Sequence, residues 1–110
     1  MKPARIDATL AALADPARRR VVELLGQRPH RAGELADALD LPPPAMSRHL
    51  RMLRQSGLVE ETHPEFDARV RIYALKAGAM ADLRTWLADT ERMWAGQLAG
   101  FKAHVEKKRK

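Results

Sequence analysis

The chain has 110 residues, a length typical of one domain, and 45% of them are hydrophobic, which is enough for a modest core. Its formal net charge of +6 favours a polyanionic partner, nucleic acid before an anionic membrane surface. The absence of cysteine excludes disulfides and thiolate metal sites, and no apolar run approaches the roughly 20 residues that span a bilayer.

Two helices are predicted in the first quarter of the chain. The first runs from about residue 5 to residue 14, with an apolar side formed by Ile6, Leu10 and Leu13. Asp15 and Pro16 then form a typical helix start, because aspartate is a good N-cap and proline fits the first turn. The second helix ends near Gly26, and its inward residues are Ala17, Val21, Leu24 and Leu25.

Three consecutive arginines, Arg18 to Arg20, occupy the first turn of this second helix. Cations at a helix N-terminus oppose the helix dipole, so helix stability does not explain them. A contact of Arg18 and Arg19 with DNA phosphates would explain them, and so would solubility. The sequence leaves both interpretations open.

A helix-turn-helix is predicted between residues 31 and 56. Residues 31–39 form a third helix, with Leu35, Ala36 and Leu39 inward. A short turn leads to three prolines, Pro42 to Pro44, which fit only before or within the first turn of a helix. Two short helices joined by a tight turn, the second of them basic, indicate this motif.

The fourth helix, at about 43–56, has two chemically different faces. Its apolar face consists of Met46, Leu50 and Leu53. No carboxylate occurs between residues 40 and 60, and the polar face carries Ser47, Arg48, Arg51, Arg54 and Gln55. Such a face suits the DNA major groove, where guanidinium groups meet phosphates and guanine edges. A solvated basic face on a core helix is the alternative.

A β-hairpin is predicted at about 58–76, after Gly57 ends the fourth helix. Pro64 and Asp67 favour a turn at its tip. Along the second strand, one face carries Val70, Ile72 and Ala74, and the other carries Arg69, Arg71 and Tyr73. A hairpin directly after a basic helix is a wing, from which Arg69 or Arg71 could reach the minor groove or nearby phosphates.

A long helix is predicted at about 78–106. Its apolar side chains step by threes and fours along one face and include Leu83, Leu87, Trp94, Leu98 and Phe101. A domain this small cannot cover such a face with its own core, so we expect pairing with a second subunit. Folding back over its own domain is the alternative. The basic C-terminal end is expected to be solvated, with non-specific attraction to DNA as the alternative.

The segments LADPARRRVVELL, GELADALDL, SRHLRMLRQSGLVE and RIYAL together resemble the ArsR-type family of small bacterial winged-helix repressors, from about Leu10 to Leu75. The resemblance implies a homodimer that pairs through its first and last helices, binds a palindromic operator and blocks transcription. It also implies that the fourth helix is the recognition helix, with contacts from Ser47, Arg48, His49, Arg51 and Arg54.

The chain departs from that family at two places. Family members often begin the recognition helix with Ser-Gln, where this chain has Pro42-Pro43, so base specificity should depend more on the arginines. Many members also bind metals, through cysteines in the third helix or Asp and His in the last. Here the third helix has no cysteine, and the last offers only Asp82, Asp89, Glu91 and a single His104. We therefore expect no metal site and no cofactor.

The histidines carry little functional signal. His49 lies at the border of the apolar stripe, which favours a structural or phosphate contact over base recognition. His30 and His63 are expected to lie solvated in loops. No catalytic motif is evident, so we expect no enzymatic activity.

The sequence therefore predicts a single, mainly α-helical domain over residues 1–110, in the order α-α-α-α-β-β-α, with a winged helix-turn-helix. We expect a cytoplasmic, homodimeric repressor that binds double-stranded DNA and not membranes, because the N-terminal segment lacks the apolar core of a signal peptide. The alternative is a protein-interaction module that binds a different protein through its long helix. A small-molecule effector is compatible with DNA binding, but no residue indicates one.

Overall fold

The computed structural model describes residues 2–67 and 69–108, with side chains described from residue 5 onward. Arg109 and Lys110, at the end of the basic tail, lie outside the described residues. The elements in chain order are α1 (Lys2–Leu13), α2 (Pro16–Gln27), β1 (His30–Arg31), α3 (Ala32–Leu39), α4 (Pro43–Gln55), β2 (Val59–Thr62), β3 (Ile72–Leu75) and α5 (Ala81–Lys108). The predicted fold, mainly helical with a small hairpin, is confirmed, with one short strand added.

The chain clusters into two compact units that divide between Met80 and Ala81. The first unit contains the helix-turn-helix and the sheet, and the second is α5. Among the described residues, no helix is both long enough and apolar enough to cross a membrane.

The helix boundaries of the first unit follow from local capping. The Asp15 carboxylate accepts hydrogen bonds from the backbone amides of Ala17 at 2.7 Å and Arg18 at 3.3 Å, which starts α2. In α4 the prolines occupy the N-cap and the first turn, where no backbone donor is needed. Gly57 lies between α4 and β2, and its φ of +83° is a conformation that glycine adopts without strain.

The core of the first unit lies where α2, α3 and α4 meet the sheet. Three side chains of α4 are the centre of it, since Met46, Leu50 and Leu53 are each at most 1% exposed. Burying each such side chain stabilises the fold by about 1.5–3 kcal/mol. The predicted apolar face of the fourth helix is therefore confirmed, and the polar face is fixed in the opposite direction.

The sheet has three antiparallel strands in the order β1-β3-β2. β1 was not predicted, because two residues are too short to show an alternating pattern. It pairs His30 with Tyr73, and His30 is buried, with its Nδ1 2.8 Å from the backbone oxygen of Arg28. The expectation of a solvated His30 is therefore wrong, whereas His63 is exposed.

One face of the hairpin packs inward, and Tyr73 lies on that face. Tyr73 is 7% exposed and lies opposite Glu61 in the register of β2 and β3. Directly opposed residues share a face, so Glu61 also points toward the helices. The alternation along the second strand had left open which face is buried.

The second unit is a single helix of 28 residues, about 42 Å long at 1.5 Å per residue. No residue of Ala81–Lys108 is buried. Its largest apolar side chains are substantially exposed, with Trp94 at 65% and Phe101 at 67%. The described part of the helix thus carries an exposed apolar face.

Candidate nucleic-acid interface

The polar face of α4 is exposed along its whole length. Ser47, Arg48, Arg51, Arg54 and Gln55 are all exposed, and α4 contains no acidic residue. Neither Arg48 nor Arg51 forms a hydrogen bond or an ion pair with any of the residues that the structure describes. These two guanidinium groups therefore have all their donors available for an external acceptor.

Arg51 lies between two shallow clefts that flank α4. The cleft on one side is lined by Arg18, Arg48, His49, Arg51 and Met52. The cleft on the other side reaches Arg54 and Lys76. Lys76 was not predicted to lie here, because its position at the end of the predicted second strand gave no reason to place it near α4.

His49 is half-buried and connects α4 to α2. Its Nδ1 lies 3.4 Å from Nη1 of Arg18. A guanidinium only donates, so Nδ1 is the acceptor in this contact. The sequence favoured a structural or phosphate contact for His49 over base recognition, and the contact with Arg18 is a structural one. A phosphate contact from Nε2 stays a prediction.

Arg18 caps the C-terminal end of α1. Its side chain is only 15% exposed, and it donates from Nε to the backbone oxygen of Ala12 at 2.6 Å and from Nη2 to that of Ala11 at 3.2 Å. The last carbonyl groups of a helix have no partner within the helix, and the helix dipole favours a cation there. Arg18 therefore stabilises the end of α1 from its place at the start of α2.

Arg19 repeats this arrangement at the surface. Its Nη1 donates to the backbone oxygens of Leu13 at 2.8 Å and Ala14 at 3.1 Å. Helix capping is thus a third explanation for the arginines at the start of α2, beside phosphate binding and solubility. The sequence could not reveal it, because the relevant carbonyl groups belong to the preceding helix.

A mostly buried carboxylate, that of Glu61, joins α4 to the wing. Its Oε2 lies 2.8 Å from Nη1 of Arg54, and its Oε1 lies 3.3 Å from Nε of Arg71. The hydroxyl of Tyr73 lies 3.5 Å from Oε2. Burial, followed by the charge of Glu61, raises the pKa of Tyr73. The contacts of Arg54 and Arg71 with Glu61 set them apart from Arg48 and Arg51.

The wing as a whole has more acidic residues than its predicted contact with DNA suggests. Four carboxylates and two arginines lie between residues 60 and 71. Arg69 pairs with Asp67 at 3.3 Å, and Phe66, at the tip, is 88% exposed. A minor-groove contact by Arg69 or Arg71 stays a prediction, and each arginine would have to bind DNA while it is paired with a carboxylate.

The side chains predicted to form a dimer interface are accessible. Leu83 is half-buried, and the others are exposed, namely Leu10, Leu87, Trp94, Leu98 and Phe101. Among the described residues, no group of three His, Asp or Glu side chains is placed to hold a metal ion.

Comparisons with known proteins agree with this geometry. A family model described as a helix-turn-helix domain matches residues 13–62. The HTH-type transcriptional regulator Rv2034 of Mycobacterium tuberculosis is 38% identical over 95 residues, which cover 86% of this chain and 83% of that protein. The transcriptional repressor SdpR of Bacillus subtilis is 26% identical over 76 residues, which cover 69% of this chain and 81% of that protein. The crystal structure of the ArsR family transcriptional regulator RHA00566 is similar with a TM-score of 0.75 and 30% identity, covering 84% of this chain and 93% of that one.

Proposed function

We propose that this chain, which belongs to the ArsR-type family of winged helix-turn-helix transcriptional regulators, is a homodimeric repressor of a two-fold symmetric DNA operator. DNA-binding regulation of transcription is the function of the family, and it is not an enzymatic one. One relative is named a transcriptional repressor, which supports repression. A repressor acts on the chromosome, and the proposal therefore places the protein in the cytoplasm.

The polar face of α4 carries the proposal. Arg48 and Arg51 are exposed and free of partners among the described residues, on a helix without a carboxylate. Fully available guanidinium groups bind phosphates and guanine edges, the latter in a bidentate manner. In our proposal α4 enters the major groove, and its contacts come from Ser47, Arg48, His49, Arg51 and Arg54.

The surrounding arginines would hold the protein on the DNA backbone. Arg69 and Arg71 are proposed to approach the minor groove or its phosphates from the wing. Arg18 and Arg19 are proposed to approach phosphates beside α2, with the donors that their capping contacts leave available. Phosphate contacts fix orientation and carry no direct sequence information, so specificity should depend on α4.

The homodimer is proposed from the apolar face of α5. A face that includes Trp94, Leu98 and Phe101 is a costly one to leave in water, and a second copy would cover it with the same surface. Leu10 of α1 is exposed and is proposed to join this interface. A dimer would place its two α4 helices in half-sites centred about 34–36 Å apart, or a multiple of that distance.

Selection of bound duplexes from a random DNA pool tests this function. The purified protein is incubated with the pool at several salt concentrations, and the retained sequences are determined. We expect a two-fold symmetric site, with affinity that falls steeply as salt rises, because phosphate contacts release counterions. Absence of any duplex binding would reject the proposal and would favour a module that binds another protein through α5.

The dimer is tested separately with Trp94→Ala. We expect this variant to sediment as a monomer at concentrations where the wild-type protein is a dimer, because it removes a large apolar side chain from the centre of the face. Arg92→Ala is the matched control, since Arg92 lies about 200° around α5 from Trp94. A fully dimeric Trp94→Ala variant would show that the dimer does not form through this face.

A further inference from the structure

We propose that Glu61 is a positioning residue that raises the DNA specificity of this protein by holding Arg54 and Arg71 in fixed directions and limiting their attraction to random DNA. The proposal rests on the proposed function, because it concerns how the same surface discriminates between DNA sequences.

The position of Glu61 differs from that of an ordinary surface glutamate. Its side chain is 10% exposed, whereas those of Arg54 and Arg71 are 49% and 65% exposed. The carboxylate thus lies beneath two guanidinium groups that face outward. Both of its oxygens are used, Oε2 by Arg54 at 2.8 Å and Oε1 by Arg71 at 3.3 Å.

Glu61 connects two parts of the structure that are both expected to touch DNA. Arg54 belongs to the last turn of α4, and Arg71 precedes β3 at the base of the wing. Glu61 itself is on β2, on the face it shares with Tyr73. Isolated surface ion pairs contribute little, but a shared and mostly buried carboxylate fixes several groups at once.

The first consequence concerns charge. Arg54 and Arg71 carry two positive charges, and Glu61 cancels one of them within 3.3 Å of both. Binding to random DNA depends on the number of phosphates that the protein neutralises. The carboxylate therefore weakens binding to random DNA, which has no base contacts from α4 to offset the loss.

The second consequence concerns direction. An arginine that is held by a carboxylate presents its remaining donors in one orientation, and it loses less entropy when it binds a matching acceptor. It also fits poorly against a duplex whose backbone lies elsewhere. Discrimination of this kind comes from a penalty on the wrong partner as well as from contacts with the right one.

Glu61→Gln tests the proposal, with Glu60→Gln as the matched control. Both substitutions remove one negative charge from neighbouring positions of β2. Glu60 is exposed and forms no ion pair with the described residues. Affinity is measured for the selected operator and for a random duplex of the same length, each across a salt series, after urea unfolding has shown that the variants fold.

We expect Glu61→Gln to bind the random duplex about fivefold more tightly, with a salt slope steeper by about 0.9, the value for one further released counterion. The operator should gain less, so the ratio of operator to random affinity falls. Glu60→Gln should change both affinities slightly and equally. A salt slope distinguishes this role from a merely structural one, because loss of fold alone does not steepen it.

The proposal is overturned if Glu61→Gln matches Glu60→Gln, or if it loses operator and random affinity in parallel. If Glu61→Gln does not fold, Glu61→Asp decides, since it keeps the charge and shortens the reach. That variant should keep the wild-type salt slope and lose part of the ratio, and an unchanged ratio would overturn the proposal. A wild-type protein that binds no duplex would overturn the proposed function and this inference together, whereas matched glutamine variants of a DNA-binding protein overturn only the inference.

Discussion

Two groups of arginines, at the start of α2 and along α4, have opposite surroundings. In α2, Arg18 and Arg19 donate to four backbone carbonyl groups at the end of α1 and in the turn after it. In α4, Arg48 and Arg51 contact no acceptor among the described residues. The same residue type thus stabilises the fold in one place and remains available for DNA in the other.

The difference arises from the nearest unsatisfied acceptors. The last carbonyl groups of α1 lie beside α2, and leaving that of Ala12, a buried residue, without a donor would cost about 1–3 kcal/mol. The outer face of α4 has no such groups nearby, because its backbone is bonded within the helix. A count of positive charges therefore does not distinguish arginines that cap a helix from arginines without a partner, and substitutions can separate the two classes.

The largest expected effect is that of Arg18→Ala on stability. We expect the free energy of unfolding to fall by about 3 kcal/mol, because the variant removes two charge-assisted hydrogen bonds of a side chain that is only 15% exposed. Urea unfolding at matched protein concentration measures it. Arg20→Ala is the control, since Arg20 is exposed and its one ion pair among the described residues is with Glu23 at 3.2 Å. Equal stability of the two variants would contradict the capping role.

Arg51→Ala should have the complementary effect. We expect operator affinity to fall at least about tenfold, the loss of one good base or phosphate contact, with unfolding unchanged within about 0.5 kcal/mol. Titration of the selected duplex at fixed salt measures the affinity. Arg28→Ala serves as the control, because it removes the same charge at the far end of α2. If Arg48→Ala and Arg51→Ala both leave affinity unchanged, α4 is not the recognition helix.

Features that depend on near neighbours in the sequence could be predicted, and contacts between elements could not. The helices, the cap at Asp15 and the buried Met46, Leu50 and Leu53 followed from local patterns, because capping and periodicity depend on near neighbours. The partners of Arg18, and the position of Glu61 under Arg54, depend on how one element packs against the next, which periodicity within each element does not specify. Because side chains alternate between the two faces of a strand, Glu61 could have been placed on the same face as Val59. That alternation does not predict that Glu61 lies beneath an arginine.

A smaller effect on stability is expected from Asp15, the N-cap of α2. Asp15→Ala should lower the free energy of unfolding by about 1 kcal/mol, because it leaves the amides of Ala17 and Arg18 without their acceptor. Urea unfolding measures this loss, and Asp15→Asn should largely restore the cap. If Asp15→Asn loses as much stability as Asp15→Ala, the charge of Asp15 and not its hydrogen bonding stabilises the cap.

The Asp15 carboxylate also predicts a pH dependence. Burial acts to raise its pKa, but hydrogen bonds from the amides of Arg18 and Ala17 outweigh burial and lower the pKa below its ordinary value of 3.8. A pKa that is lower in the folded state stabilises the protein above pH 3.8, and this contribution is lost as pH falls through the folded value. Unfolding curves should therefore show a loss below about pH 4 that Asp15→Asn lacks.

The smallest effect, and the one that decides between explanations, is that of Arg19→Ala. Arg19 is exposed, so its capping bonds should contribute less than about 1 kcal/mol to the free energy of unfolding. If Arg19 also binds a phosphate, the variant should bind operator and random DNA more weakly by the same factor, with a salt slope shallower by about 0.9. If capping is its only role, the slope stays that of the wild type. A salt series on this variant therefore shows whether one arginine at the start of α2 serves the fold alone or the fold and the DNA backbone together.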